Sequence, residues 1–196
     1  MLARSCLVLL WPMAIWFSIP VLADDASVCG SNTLSADAAL AACANLIASG
    51  HYSGEGLSAV FDNRGLAYEN KGDYNHAIAD YSEAIRLNPN FANAFNNRGL
   101  AYAGLGDFDR AIADYSEAIR LNPNFAEAFD NRGVAYEKKG DHDHAIADFS
   151  EAIRLNPNFA NAFNNRGVAY KAKGNLDRAA ADFFAAKQLM RSSQDK

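Results

Sequence analysis

Residues 92–125 read ANAFNNRGLAYAGLGDFDRAIADYSEAIRLNPNF, and a helix, a tight turn and a second helix can be read from that stretch alone. Phe95, Gly99 and Tyr102 are spaced by four and three, which places them on one face of a helix. Gly99 leaves room for a close neighbour, and Ala111 is the matching small residue on the next helix. Gly106-Asp107 stands between them, a glycine to end one helix and an aspartate to cap the next. Pro123 then stops the second helix, because proline cannot continue the hydrogen-bond ladder.

Outward from this stretch the chain repeats with a period of about 34 residues. Asn-Arg-Gly recurs at 63–65, 97–99, 131–133 and 165–167, and Asn-Pro-Asn-Phe-Ala at 88–92, 122–126 and 156–160. The turn recurs as Gly72-Asp73, Gly140-Asp141 and Gly174-Asn175, and the stop as Pro89 and Pro157. The second and third copies agree at 25 of 34 positions, so residues they share reflect recent duplication as much as need. The more divergent first and fourth copies are better witnesses, and both keep Asn-Arg-Gly.

This period, with these landmarks, resembles the tetratricopeptide repeat. The family's pattern falls on Phe95, Gly99, Tyr102, Ala111, Tyr115, Ala118 and Pro123, and the resemblance covers residues 58–193. It implies an all-α, right-handed superhelical solenoid of about four repeats, at 58–91, 92–125, 126–159 and 160–193. One helical hairpin cannot bury its apolar face alone, so both ends need caps. Residues 24–57 are expected to form the first cap, a degenerate half-repeat in which Ala39-Leu40 and Leu46-Ile47 resemble a second helix. The far cap shows in lost apolar bulk: Ala180 replaces Ile78, Ile112 and Ile146, and Lys187 replaces Ile85, Ile119 and Ile153. Phe184, standing where the other copies have serine, predicts an apolar spot and a weak homodimer contact at that end.

Residues 1–23 have the layout of a secretory signal: a positive start ending at Arg4, an apolar run from Cys6, and small residues before Asp24-Asp25. Pro12 and Pro20 argue against a retained span of roughly 20 apolar residues. Export to the periplasm or medium is the expectation, with no membrane insertion after cleavage. The formal net charge of -5 gives no support to nucleic-acid binding. Cys29 and Cys43 are then the only thiols left, and in an oxidising compartment a disulfide between them is the natural reading. Zinc and two unpaired buried thiols are the alternatives.

No Gly-rich phosphate loop and no His-Glu-x-x-His motif occurs, and no nucleophile and base stand outside the repeat pattern, so no enzyme and no cofactor is predicted. Asp141-His142-Asp143-His144 is read as a capped helix start rather than a metal site. Arg64, Arg98, Arg132 and Arg166 stand at one fixed offset ahead of Asp80, Asp114, Asp148 and Asp182. That offset sets each pair on facing helices as a structural ion pair.

In the family the first helix of each unit lines the concave surface. The resemblance therefore implies a groove for an extended peptide or partner helix. Its wall would carry Asp62, Asn96, Asp130 and Asn164, followed by Leu66 and Glu69, Leu100, Val134 and Glu137, and Val168 and Lys171. Asn63, Asn97, Asn131 and Asn165 would form a row resembling the asparagine ladder that some members use to hold a peptide backbone. The wall lacks the cations with which chaperone-docking members hold acidic peptide ends, so a neutral or basic segment of another exported protein is the expected partner. A structural solenoid associating end to end is the rival reading.

Overall fold

The computed structural model describes residues 25–31 and 35–194; the expected signal segment, residues 1–23, lies outside them. After a helical turn at residues 25–29, nine helices follow among the described residues: α1 Ala36–Ser49, α2 Gly54–Asn70, α3 Tyr74–Leu87, α4 Ala92–Gly104, α5 Phe108–Leu121, α6 Ala126–Lys138, α7 His142–Leu155, α8 Ala160–Ala172 and α9 Leu176–Gln194. The all-α solenoid expected from the period is what is observed. Helices α2 to α9 pair as four hairpins, and each hairpin packs on the next.

The punctuation works as the sequence implies. At the end of α4, Gly106 takes φ 78°, its N–H bonds the Ala103 carbonyl at 2.9 Å, and the Asp107 N–H reaches back to the Tyr102 carbonyl at 2.9 Å. These are the paired bonds of a Schellman turn, which needs a left-handed residue. Asp73, Asp107 and Asp141 then cap α3, α5 and α7 by accepting from the N–H three residues on. Asn122 leaves α5 in an extended conformation, φ -132°, as a residue before proline must.

The close neighbour of Gly99 is an aromatic ring. A Cβ at Gly99 would lie 2.6 Å from the Tyr115 ring, and the same crowding holds for Gly65 with Tyr81, Gly133 with Phe149 and Gly167 with Phe183. Each hairpin is thus locked by a ring laid on a glycine, and Tyr81, Tyr115 and Phe149 are wholly buried.

Successive first helices touch one another, α2 with α4, α4 with α6 and α6 with α8, whereas successive second helices do not. A stack that converges along one set of helices and spreads along the other must curve, with α2, α4, α6 and α8 inside.

The amino-terminal cap differs from expectation in one respect. Helix α2 begins at Gly54, so the expected boundary at 58 falls within it, and it is a turn longer than α4, α6 or α8. Helix α1 consequently lies further ahead of α3 than one full repeat, with Cys43 at the place of Tyr81. Cys29 and Cys43 are joined, their Cα atoms 4.9 Å apart, in a small core with Ala42, Leu46 and Val60. A bridge closing such a loop contributes about 3 kcal/mol. Among the described residues no helix is long and apolar enough to cross a membrane.

Candidate peptide-binding face

The arginines of Asn-Arg-Gly occupy a site more elaborate than an ion pair. Arg98 Nε and Nη2 donate to both oxygens of Asp114 at 2.7 and 2.8 Å, and Arg64, Arg132 and Arg166 hold Asp80, Asp148 and Asp182 in the same fork. The aspartates are buried, which only a bidentate, charge-assisted partner makes tolerable. The remaining Nη1 crosses to the preceding repeat: Arg98 donates to Ser82 Oγ, Arg132 to Ser116 and Arg166 to Ser150, each at 3.0 Å. These serines were not singled out from the sequence, although a signal was there, since each stands at the same offset before its arginine as the arginine does before its aspartate. Arg64 has no serine to reach, because Ala44 of α1 occupies the corresponding place.

The expected wall residues Asp62, Asn96 and Asp130 are not open to a groove. They are 7%, 6% and 8% exposed, covered by the repeat that follows. Asn97 Nδ2 donates to Asp62 Oδ1 at 3.1 Å, Asn131 Nδ2 to Asn96 Oδ1 at 2.9 Å and Asn165 Nδ2 to Asp130 Oδ1 at 3.1 Å. The two rows anticipated from the sequence therefore bond to each other across the repeat junctions. Asn164, in the last of the described repeats, is exposed. Asn63, Asn97, Asn131 and Asn165 are half-buried.

Charge on this inner face is uneven. Burial pushes the Asp62 carboxyl up to about 6, against the Asn97 hydrogen bond and with help from Glu69. Asp130 is raised by the same cause. Glu69 is raised by burial although the Tyr81 hydroxyl donates to it at 2.8 Å, and Glu137 is paired with His142 at 2.7 Å. The second and fourth repeats have Ala103 and Lys171 where the first and third have these glutamates.

The acidic and histidine cluster is taken up in capping and stacking. His144 binds Asp141 through Nδ1 at 2.7 Å and stacks on Tyr136, and Asp143 is held by Lys173. The corresponding Arg110 lies 4.4 Å above the Tyr102 ring. The position thus selects a flat cationic or aromatic group over the tyrosine. Among the described residues no group of ligating side chains is arranged to hold a metal ion.

The family described as tetratricopeptide repeat matches residues 92–125, and the related TPR repeat pattern matches residues 65–106 and 138–174. These are tetratricopeptide repeats. Among solved structures, MamA superposes with a TM-score of 0.73 at 26% identity, covering 82% of this chain and 92% of that one. MamA 41-end from Desulfovibrio magneticus RS-1 gives a TM-score of 0.76 over 88% and 96%, and at 20% identity it shows the shared fold alone. The first TPR of Spaghetti (RPAP3), bound to HSP90 peptide SRMEEVD, gives 0.61 at 26% identity, covering 64% of this chain and 99% of that one. Among curated proteins none matches the chain. The tetratricopeptide fold is that of a protein-interaction scaffold, and the arginines of Asn-Arg-Gly here are committed to the aspartates of their own hairpins and, for Arg98, Arg132 and Arg166, to serines of the preceding repeat.

Proposed function

We propose that this chain is a non-catalytic scaffold that binds an extended segment of another exported protein along the inner face of α2, α4, α6 and α8. The observation that carries the reading is the row of half-buried asparagine amides along that face. Each of Asn97, Asn131 and Asn165 gives one N–H to the neighbouring repeat and keeps a second N–H, so a peptide backbone can be met without regard to its side chains. The relative solved with the peptide SRMEEVD supports peptide binding by this architecture. The chemistry here differs from what such an acidic segment needs. All four inner-face arginines are neutralised by their aspartates, while Glu69, which is not fully buried, carries no cationic partner among the described residues. A neutral or basic segment is the better fit. Periplasmic or secreted location is part of the proposal and is supported by the signal-like residues 1–23 and by the Cys29–Cys43 bridge.

Fluorescence anisotropy with labelled extended peptides tests it. A lysine-containing peptide is expected to bind, to weaken with salt, and to lose about 1 kcal/mol on each of Asn131→Ala and Asn165→Ala. Preference for an acidic peptide, or alanine variants that bind normally but unfold earlier, would sink the reading and leave these asparagines as scaffold.

A further inference from the structure

Of five large apolar side chains that are exposed among the described residues, Val168, Leu176, Phe184 and Met190 lie on the last repeat. In the first three repeats the matching face is closed by the next hairpin, whose arginine bonds Ser82, Ser116 or Ser150. Phe184 stands at that serine position and is 64% exposed. A ring there removes the acceptor a following arginine would need, so this end is not shaped for another repeat of the same kind.

The opposite end has changed in a matching way. The three inner second helices carry a surface pair, Glu83–Arg86, Glu117–Arg120 and Glu151–Arg154. Both end helices lack it: α1 has Asn45 and Ala48 there, and α9 has Ala185 and Gln188. Ala41, Ala44 and Ala48 are exposed on one face of α1, leaving an uncharged strip of low relief on that helix.

Charge decides which ends can meet. Residues 24–57 contain the carboxylates Asp24, Asp25, Asp37 and Glu55 and no lysine or arginine, whereas residues 160–196 contain seven lysines and arginines against three aspartates; the pairs Asp37–Lys71 and Asp143–Lys173 take one charge from each end and leave the signs opposite. Like ends repel and unlike ends attract. We infer that the exposed face of the last repeat receives the amino-terminal cap of a second copy, so that chains associate head to tail. Such a contact uses a different patch on each partner, and it can continue into open arrays. Its test positions, Phe184 and Ala44, lie outside the row of Asn97, Asn131 and Asn165, so it stands apart from the peptide-binding reading.

Sedimentation velocity on the intact chain tests this. Apparent mass is expected to rise with concentration at low salt, and to rise less at high salt. Phe184→Ser, which restores the serine of the other copies, and Ala44→Arg should each weaken self-association at least about tenfold with unchanged circular dichroism. An equimolar mixture of the two variants should form a dimer, because each keeps the surface the other has lost. A strict monomer at every concentration overturns the inference. So does undiminished association of the Ala44→Arg protein, which would mean contact between two last repeats, or failure of the mixed variants to pair. Peptide binding by the Phe184→Ser protein should be unaffected, which separates this inference from the groove.

Discussion

The junction between the first and second repeats and the junction between the second and third use the same parts and differ in one charge. In the first, Arg98 reaches back to Ser82 and Asn97 donates to Asp62. In the second, Arg132 reaches back to Ser116 and Asn131 donates to Asn96. A neutral amide and a carboxylate of nearly the same shape therefore both accept the buried bond. Stacking requires the hydrogen bond and not the charge. Asp62 carries a buried charge that the stacking of the repeats does not use.

The features common to both junctions set the largest expected effects. Arg98→Ala and Arg132→Ala each strand a buried aspartate and cut the bond to the preceding repeat, so both should destabilise by about 3–5 kcal/mol in urea denaturation. Clearly unequal losses would show that the two junctions are not equivalent supports. Next come the glycines under the rings. Gly99→Ala and Gly133→Ala force Tyr115 and Phe149 from their seats, at an expected cost of about 2 kcal/mol each, read as a fall in midpoint without a change in slope.

The charge difference itself is tested by exchange. Asp62→Asn makes the first junction resemble the second and should stabilise the protein by about 1–2 kcal/mol at pH 7.5. The sign follows from proton linkage: a carboxyl whose folded value is raised to about 6 binds its proton more tightly in the folded state. Its favourable contribution is complete below the unfolded value near 4 and is lost as pH rises through about 6. The gain from Asp62→Asn should therefore vanish near pH 4, and Asn96→Asp should impose the same pH-dependent penalty on the second junction. Denaturation at the two pH values checks both. The smallest effect is expected from Ser116→Ala, about 1 kcal/mol for one hydrogen bond to a charged donor that keeps its main partner. Thermal melts of single and double variants with Arg132→Lys would show whether the serine acts through the arginine.

Much of this was legible because a solenoid repeats its local chemistry. The repeat period, the Gly-Asp turns and the Asn-Pro stops are local signals, and they mark the helix pair of each hairpin and the turn between its helices. The fixed offset found the arginine and aspartate pairs, because two helices joined by one short turn have little choice of register. The cysteine pair was legible from its isolation in residues 24–57 together with the signal-like start.

What the sequence could not settle was which side of a helix the next repeat would cover. Asp62, Asn96 and Asp130 are polar residues on a first helix, and position along that helix gives no measure of how far the following hairpin leans over it. Stacking decided that they are buried, that their partners are the asparagines one residue beyond a full repeat, and that Asn164 alone of the four stays open. It also decided the early start of α2 at Gly54, which no repeat landmark marks. The sequence by itself determined the hairpins, since their turns and caps act over a few residues. Only the tertiary structure decided how the hairpins are joined, because burial depends on a neighbour a whole repeat away along the chain.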